Sequence, residues 1–95
     1  MTASTSSIRQ AVQAAGGQTA LAQRIGARQQ EIWNWLNGRQ VPDHRCPAIE
    51  RESGVPVEQL RSDLRWVRVP DPNWPHPKGR PCIDVIGPTE ERHAA

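Results

Sequence analysis

Gln18-Thr-Ala-Leu-Ala-Gln-Arg-Ile-Gly-Ala-Arg-Gln-Gln-Glu-Ile-Trp-Asn-Trp-Leu-Asn37 is the stretch that decides the fold. Leu21, Ala22 and Ile25 fall at helical spacing before Gly26, and Ile32, Trp35 and Leu36 fall at helical spacing after it. Gly26 ends the first of these helices, because glycine accepts the left-handed conformation that closes a C-terminus. The next begins at Arg28 or Gln29 and runs to Asn37, before Gly38. Two helices of about eight or nine residues joined by so short a turn must cross steeply. Counted from Gln18, the small fifth residue is Ala22, the turn glycine is ninth, and the apolar fourth, eighth, fifteenth and eighteenth are Leu21, Ile25, Ile32 and Trp35. Together these spacings form a helix-turn-helix pattern. Ala27, at the tenth position, is smaller than the pattern usually has.

Upstream, Ser7 and Gln10 fit a capping box, so a first helix is expected from Ser7, with Ile8, Ala11, Val12 and Ala15 inward and Gly16-Gly17 as its stop. Downstream, a fourth helix is expected over 44–53, capped by Asp43, with Pro47 in its first turn and Cys46, Ile49 and Ser53 inward. A short fifth helix over 56–62 offers Val57, Leu60 and Leu64. Past Asp63 the prolines crowd, and Trp66–Val69 and Cys82–Ile86 read as short strands around an irregular loop from Pro70 to Pro81. The expected architecture is mainly α: a disordered leader over 1–6, a five-helix domain over 7–64, and a Pro/Trp-rich tail over 65–95. The tail is expected to form a β-hairpin or ribbon for packing or dimerisation.

Composition narrows the function classes. With 95 residues and 36% hydrophobic content, no run approaches a membrane span, and Met1–Ser7 lacks a signal-peptide pattern, so a cytoplasmic protein is expected. The formal charge of +2 is modest for a nucleic-acid binder. Its distribution is more telling, because Arg24, Arg28, Arg39 and Arg45 face only Glu31 and Asp43 between Gln18 and Cys46. Cys46 and Cys82 read as reduced thiols, and their spacing from His44 and His76 does not make a tetrahedral set, so no metal is expected. There is no hydrolase triad spacing, phosphate loop or HExxH, and His44, His76 and His93 are scattered, so neither catalysis nor a cofactor is expected.

On a helical wheel Ile32, Trp35 and Leu36 share one side of the second motif helix, while Gln30, Trp33, Asn34 and Asn37 share the other. Asn and Gln side chains suit the N6/N7 edge of adenine in a major groove. Gln29 and Gln30 open the helix, and solvated helix starters are the bland alternative. Trp33 and Trp35 lie about 200° apart, so Trp35 takes the core. Trp33 either meets a thymine methyl or sugar, or covers the fourth helix. Asn37 is a phosphate contact or only a helix stop. Arg28 and Arg39 flank the helix and suit phosphates, which position a protein without specifying sequence. The backbone N–H groups opening the two helices, around Gln18-Thr19 and Gln29, can hold phosphates too. Arg45 reads as solvated unless the fourth helix nears the DNA backbone, and Trp66 and Trp74 read as packing residues.

The window resembles the DNA-binding domains of the lambda Cro/repressor family. Gln18 and Gln29 occupy its first and twelfth positions, and Gln29-Gln30-Glu31-Ile32 followed by Asn37-Gly38 also matches. In several phage repressors the two glutamines bond to each other and contact phosphate and base respectively. The stretch from Gly16 onward, through Cys46-Pro-Ala-Ile-Glu50, Trp74-Pro-His-Pro77 and Gly79-Arg-Pro81, is similar to YdaS-like (Cro-like) phage or prophage regulators and antitoxins. The resemblance implies a repressor that binds double-stranded DNA at a palindromic operator as a homodimer. The expected DNA-binding set is Gln18, Thr19, Arg28, Gln29, Gln30, Trp33, Asn34, Asn37 and Arg39. The alternative is an antitoxin or interaction module that holds a partner protein through the tail.

Overall fold

The computed structural model, which describes residues 3–83, turns the apolar spacing into five helices and one hairpin. The helices are α1 (Ala3–Ala15), α2 (Gln18–Ile25), α3 (Gln29–Leu36), α4 (Cys46–Ser53) and α5 (Val57–Leu60). A 3-10 turn, Asp43–Arg45, precedes α4, and strands β1 (Trp66–Val69) and β2 (Arg80–Ile83) pair antiparallel with Val67 opposite Cys82. The fold is mainly α, as the periodicity requires. No helix among the described residues is long and apolar enough to cross a membrane.

Each helix sends its apolar stripe to one core: Ile8, Ala11 and Ala15 of α1, Leu21, Ala22 and Ile25 of α2, Ile32 and Trp35 of α3, and Ile49, Val57 and Leu60 beyond. The α1 helix is central and meets α2, α3, α4 and α5. Its inward alanines let neighbouring backbones close in, while each fully buried Leu or Ile contributes about 1.5–3 kcal/mol.

Several boundaries differ from expectation for local reasons. The first helix starts at Ala3, not Ser7, so the expected leader does not hold for residues 3–6, and residues 1–2 lie outside the described ones. Ser7 is buried, and its hydroxyl donates to the Gln59 carbonyl at 3.1 Å, a tertiary bond in place of the expected cap. The fourth helix starts at Cys46, not His44. Pro47 has no N–H with which to close an α-turn onto Asp43, and the Cys46 N–H closes a 3-10 turn there instead. Ser53 is only half-buried, and its hydroxyl turns back to the Ile49 carbonyl at 2.6 Å. The fifth helix stops at Leu60, where Arg61 leaves helical geometry (φ −138°) and donates to the Val41 carbonyl at 2.8 Å. The second strand begins at Arg80, two residues early, and 84–86 lie outside the described residues. Gly79 sets this start: at φ 100° a Cβ would sit 2.0 Å from the Val69 carbonyl oxygen, so only glycine fits.

The hairpin is held to the helices by a buried ion pair. Glu50 of α4 is 1% exposed. Its carboxylate accepts two bonds from the Arg68 guanidinium of β1, both at 2.7 Å, one from the Val57 N–H at 2.9 Å, and one from the Trp74 indole. Arg68 also reaches Glu58 at 2.7 Å and the Gly79 carbonyl at 2.9 Å. Trp66 packs against the core, with its indole on the Arg61 carbonyl at 3.0 Å. Trp66 and Trp74 are therefore structural, as expected.

Burial alone would raise the Glu50 carboxyl, but Arg68, Trp74 and the Val57 N–H outweigh it and hold it below its ordinary 4.5. A carboxyl depressed by folding adds stability that is present above 4.5 and lost as pH falls through its native value. Glu50→Gln should therefore flatten the acid limb of the stability–pH curve. Arg68→Met leaves the carboxylate buried and unpaired, and should cost about 3–5 kcal/mol in urea unfolding. The two thiols should also separate cleanly. Burial pushes Cys46 up to about 12, whereas Cys82 is half-buried on the hairpin. A thiol-reactive disulfide reagent at pH 8 should label Cys82 in the native protein and Cys46 only after unfolding.

Candidate nucleic-acid interface

The α3 helix has two faces with separate tasks. Ile32 and Trp35 are buried, while Gln29, Gln30 and Trp33 are exposed and Asn34 half-exposed. Trp33, at 51% exposure, stands outside the core cluster. It lines an open cleft of about 390 Å³ with Gln18 of α2 and Gln29 and Gln30 of α3.

The turn between α2 and α3 makes this cleft possible. Gly26 adopts φ 73°, and its N–H and that of Ala27 both return to the Ala22 carbonyl. The chain then leaves α2 sharply, and Arg28, in extended geometry, starts α3. The Glu31 carboxylate accepts the Arg28 N–H at 3.1 Å, which closes the first turn of α3. That bond, with Arg45 nearby, holds Glu31 below its ordinary range. The Arg28 N–H is thereby committed to Glu31 and is not open to a phosphate. No side chain caps the start of α2, where exposed Thr19 follows half-buried Gln18.

The amides of α3 are partly ordered by one another. Gln30 Nε2 donates to Asn34 Oδ1 at 3.1 Å, and Asn37 Nδ2 donates to the Trp33 carbonyl at 2.8 Å. The Asn37 side chain is thereby held against the last turn of α3. Gln18 and Gln29 line the same cleft, but no hydrogen bond joins them, unlike the pair in the phage repressors. Arg28 and Arg39 are exposed, with no ion pair within the described residues. By contrast, Glu31, Glu50, Glu52, Glu58, Asp63 and Asp71 each lie within 4.0 Å of an arginine. These six carboxylates are each paired with an arginine, whereas Arg28 and Arg39 beside α3 have no such partner among the described residues to offset their local field.

Sequence reading missed Arg45. Its guanidinium reaches the Ile25 and Gly26 carbonyls at 3.2 and 3.4 Å and Glu31 at 3.4 Å. It is neither solvated nor directed outward, and only the Glu31–Arg45 charge pair, fourteen residues apart, hinted at this. Among the described residues no group of three or more His, Cys, Asp or Glu gathers as metal ligands would.

A small helical domain that shows the outer side of one helix as an amide- and tryptophan-bearing surface is the class this geometry defines. The sequence model of the family described as bacterial toxin YdaS matches residues 8–69, and the chain belongs to that family. The chain is 43% identical over 63 residues to an Escherichia coli (strain K12) protein named "Putative transcriptional regulator YdaS", a match covering 63% of this chain and 64% of that protein. The match thus spans less than two thirds of the relative's length. No solved structure matches the chain.

The two motif tryptophans should respond oppositely to truncation. Trp35→Ala should cost about 3–5 kcal/mol, as a large core side chain does, whereas Trp33→Ala should change stability by under about 0.5 kcal/mol. Urea titration of both variants checks this.

Proposed function

We propose that this chain is a sequence-specific transcriptional regulator that inserts α3 into the major groove of double-stranded DNA, as a helix-turn-helix does. One observation carries the reading: Gln29, Gln30, Trp33 and Asn34 are presented together on a helix whose other face is anchored in the core, with exposed Arg28 and Arg39 at its ends. Side-chain amides at a groove read adenine edges, each bidentate pair discriminating by roughly 1–3 kcal/mol. An exposed indole beside them suits a thymine methyl. Gln18, Thr19, Arg28 and Arg39 supply phosphate contacts, which orient α3 without reading bases. The relative's name as a regulator agrees with this reading.

One domain reads few base pairs, so a homodimer on a palindromic operator with half-sites about 34 Å apart is part of the proposal. The reading assigns no catalysis and places the protein in the cytoplasm, where its DNA target is. A second reading, an antitoxin or other partner-binding role, is favoured by the hairpin, where Val67 and Val69 are exposed, 43% and 37%. The hairpin pairs within one chain, so a contact through it would use that outer face.

The test is selection of sites from random duplexes at about 150 mM salt. A palindromic consensus that blurs in the Gln30→Ala/Asn34→Ala variant is the expected result. Arg28→Ala and Arg39→Ala should each weaken binding to all sequences and lower the salt slope by about one. Binding without enrichment would leave only phosphate attraction and shift the weight to the hairpin, where Val67→Asp would then abolish partner capture.

A further inference from the structure

We infer that Arg45 is a positioning residue that sets the angle of α3 against α2, and so the register in which α3 meets the groove. This rests on the DNA-binding reading above. The residue sits in the 3-10 turn before α4, distant in sequence from both motif helices. One terminal nitrogen donates to the Ile25 carbonyl at 3.2 Å and the Gly26 carbonyl at 3.4 Å. These are the last carbonyls of α2, the negative pole of that helix, which favours a cation. The other terminal nitrogen donates to Glu31 Oε2 at 3.4 Å, and Nε lies 3.4 Å from Glu31 Oε1, a charge contact without hydrogen-bond alignment. Glu31 in turn caps α3 through the Arg28 N–H. One guanidinium therefore joins the end of α2 to the start of α3, the two ends that meet in the turn.

Two features separate this role from a phosphate contact or a surface ion pair. The Arg45 side chain is only 22% exposed and its Nε is fully buried, so the charge is consumed within the motif. Its bonds also span two backbone carbonyls and a carboxylate in different directions. A planar fork with five donors can do that, whereas a lysine ammonium on its flexible stem cannot. Of the inter-helix turn's three residues, Gly26 and Ala27 bring no long side chain to brace it, and the Arg28 side chain is exposed.

The experiment compares wild type, Arg45→Ala, Arg45→Lys and Glu31→Gln well below their melting temperatures, by competition of the selected operator against random duplex. Arg45→Ala should lose about tenfold in operator preference while its salt slope stays unchanged, because no phosphate contact is removed. Arg45→Lys should not restore the preference. Glu31→Gln should shift it in the same direction by less, and decides the matter if Arg45→Ala does not fold. Backbone residual dipolar couplings of the free protein should show a changed α2–α3 orientation in Arg45→Ala. Undiminished preference, or an unchanged orientation, overturns this role for Arg45 and leaves the DNA reading intact. A wild type that selects no consensus overturns the DNA reading and this role with it.

Discussion

Burying Glu50 against Arg68 constrains the whole C-terminal half of the described structure. Two charges taken out of water cost several kcal/mol each, and the geometry must return that cost. Here the carboxylate receives a bidentate guanidinium, a backbone N–H that opens α5 and an indole from the loop. Those donors come from α5, β1 and the hairpin loop, so none of them can be placed independently. A two-stranded ribbon is marginal by itself. The Arg68 side chain, with Trp66 against the core, makes β1 and β2 part of the helical unit.

The same logic explains how a chain of low net charge keeps cations where they matter. Arginine is used here largely as an internal clamp: Arg45 on α2 and α3, Arg61 on the Val41 carbonyl, Arg68 on Glu50 and Glu58. Each clamp pairs with an acidic group or donates to a backbone carbonyl within the fold. Arg28 and Arg39, beside α3, enter no such pair. Fold stability and surface field thus draw on different members of one residue type, and a sum over the sequence hides the division.

What was legible in the sequence was local. Apolar spacing placed all five helices, glycines marked where α1 and α2 stop, and β-branched residues marked β1 to the residue. The division of Trp35 inward and Trp33 outward followed from helical angle alone. What was not legible was long-range. Ser7 looked like a cap because its neighbours in sequence fit one, yet its hydroxyl bonds Gln59. Glu50 drew no structural role from its neighbours in sequence, because its partners lie up to twenty-four residues away. Arg45 looked like an exposed cation for the same reason. Pro47 was different: its missing N–H is a local fact, and it predicts the 3-10 turn at Asp43 once the donor of each turn is counted.

The family match stops at Val69, which divides the Glu50 site in an informative way. Glu50, Val57 and Arg68 lie inside the matched span, as do Glu31 and Arg45. Glu58, the second carboxylate on Arg68, lies inside it too, whereas Trp74 and Gly79, which bond Glu50 and Arg68, lie beyond it. The matched span therefore holds the ion pair itself, and the hairpin loop adds an indole on Glu50 and a carbonyl on Arg68. Gly79 makes this addition possible, since its missing Cβ lets the loop return against the Val69 backbone. The α3 helix packs on α1 and α2 through Ile32 and Trp35, and the Arg45 clamp adds a tie to it from the turn that opens α4. One short helix, α4, thus carries the Arg45 tie at its opening turn and the Glu50 tie within it, and so links the hairpin to the two motif helices.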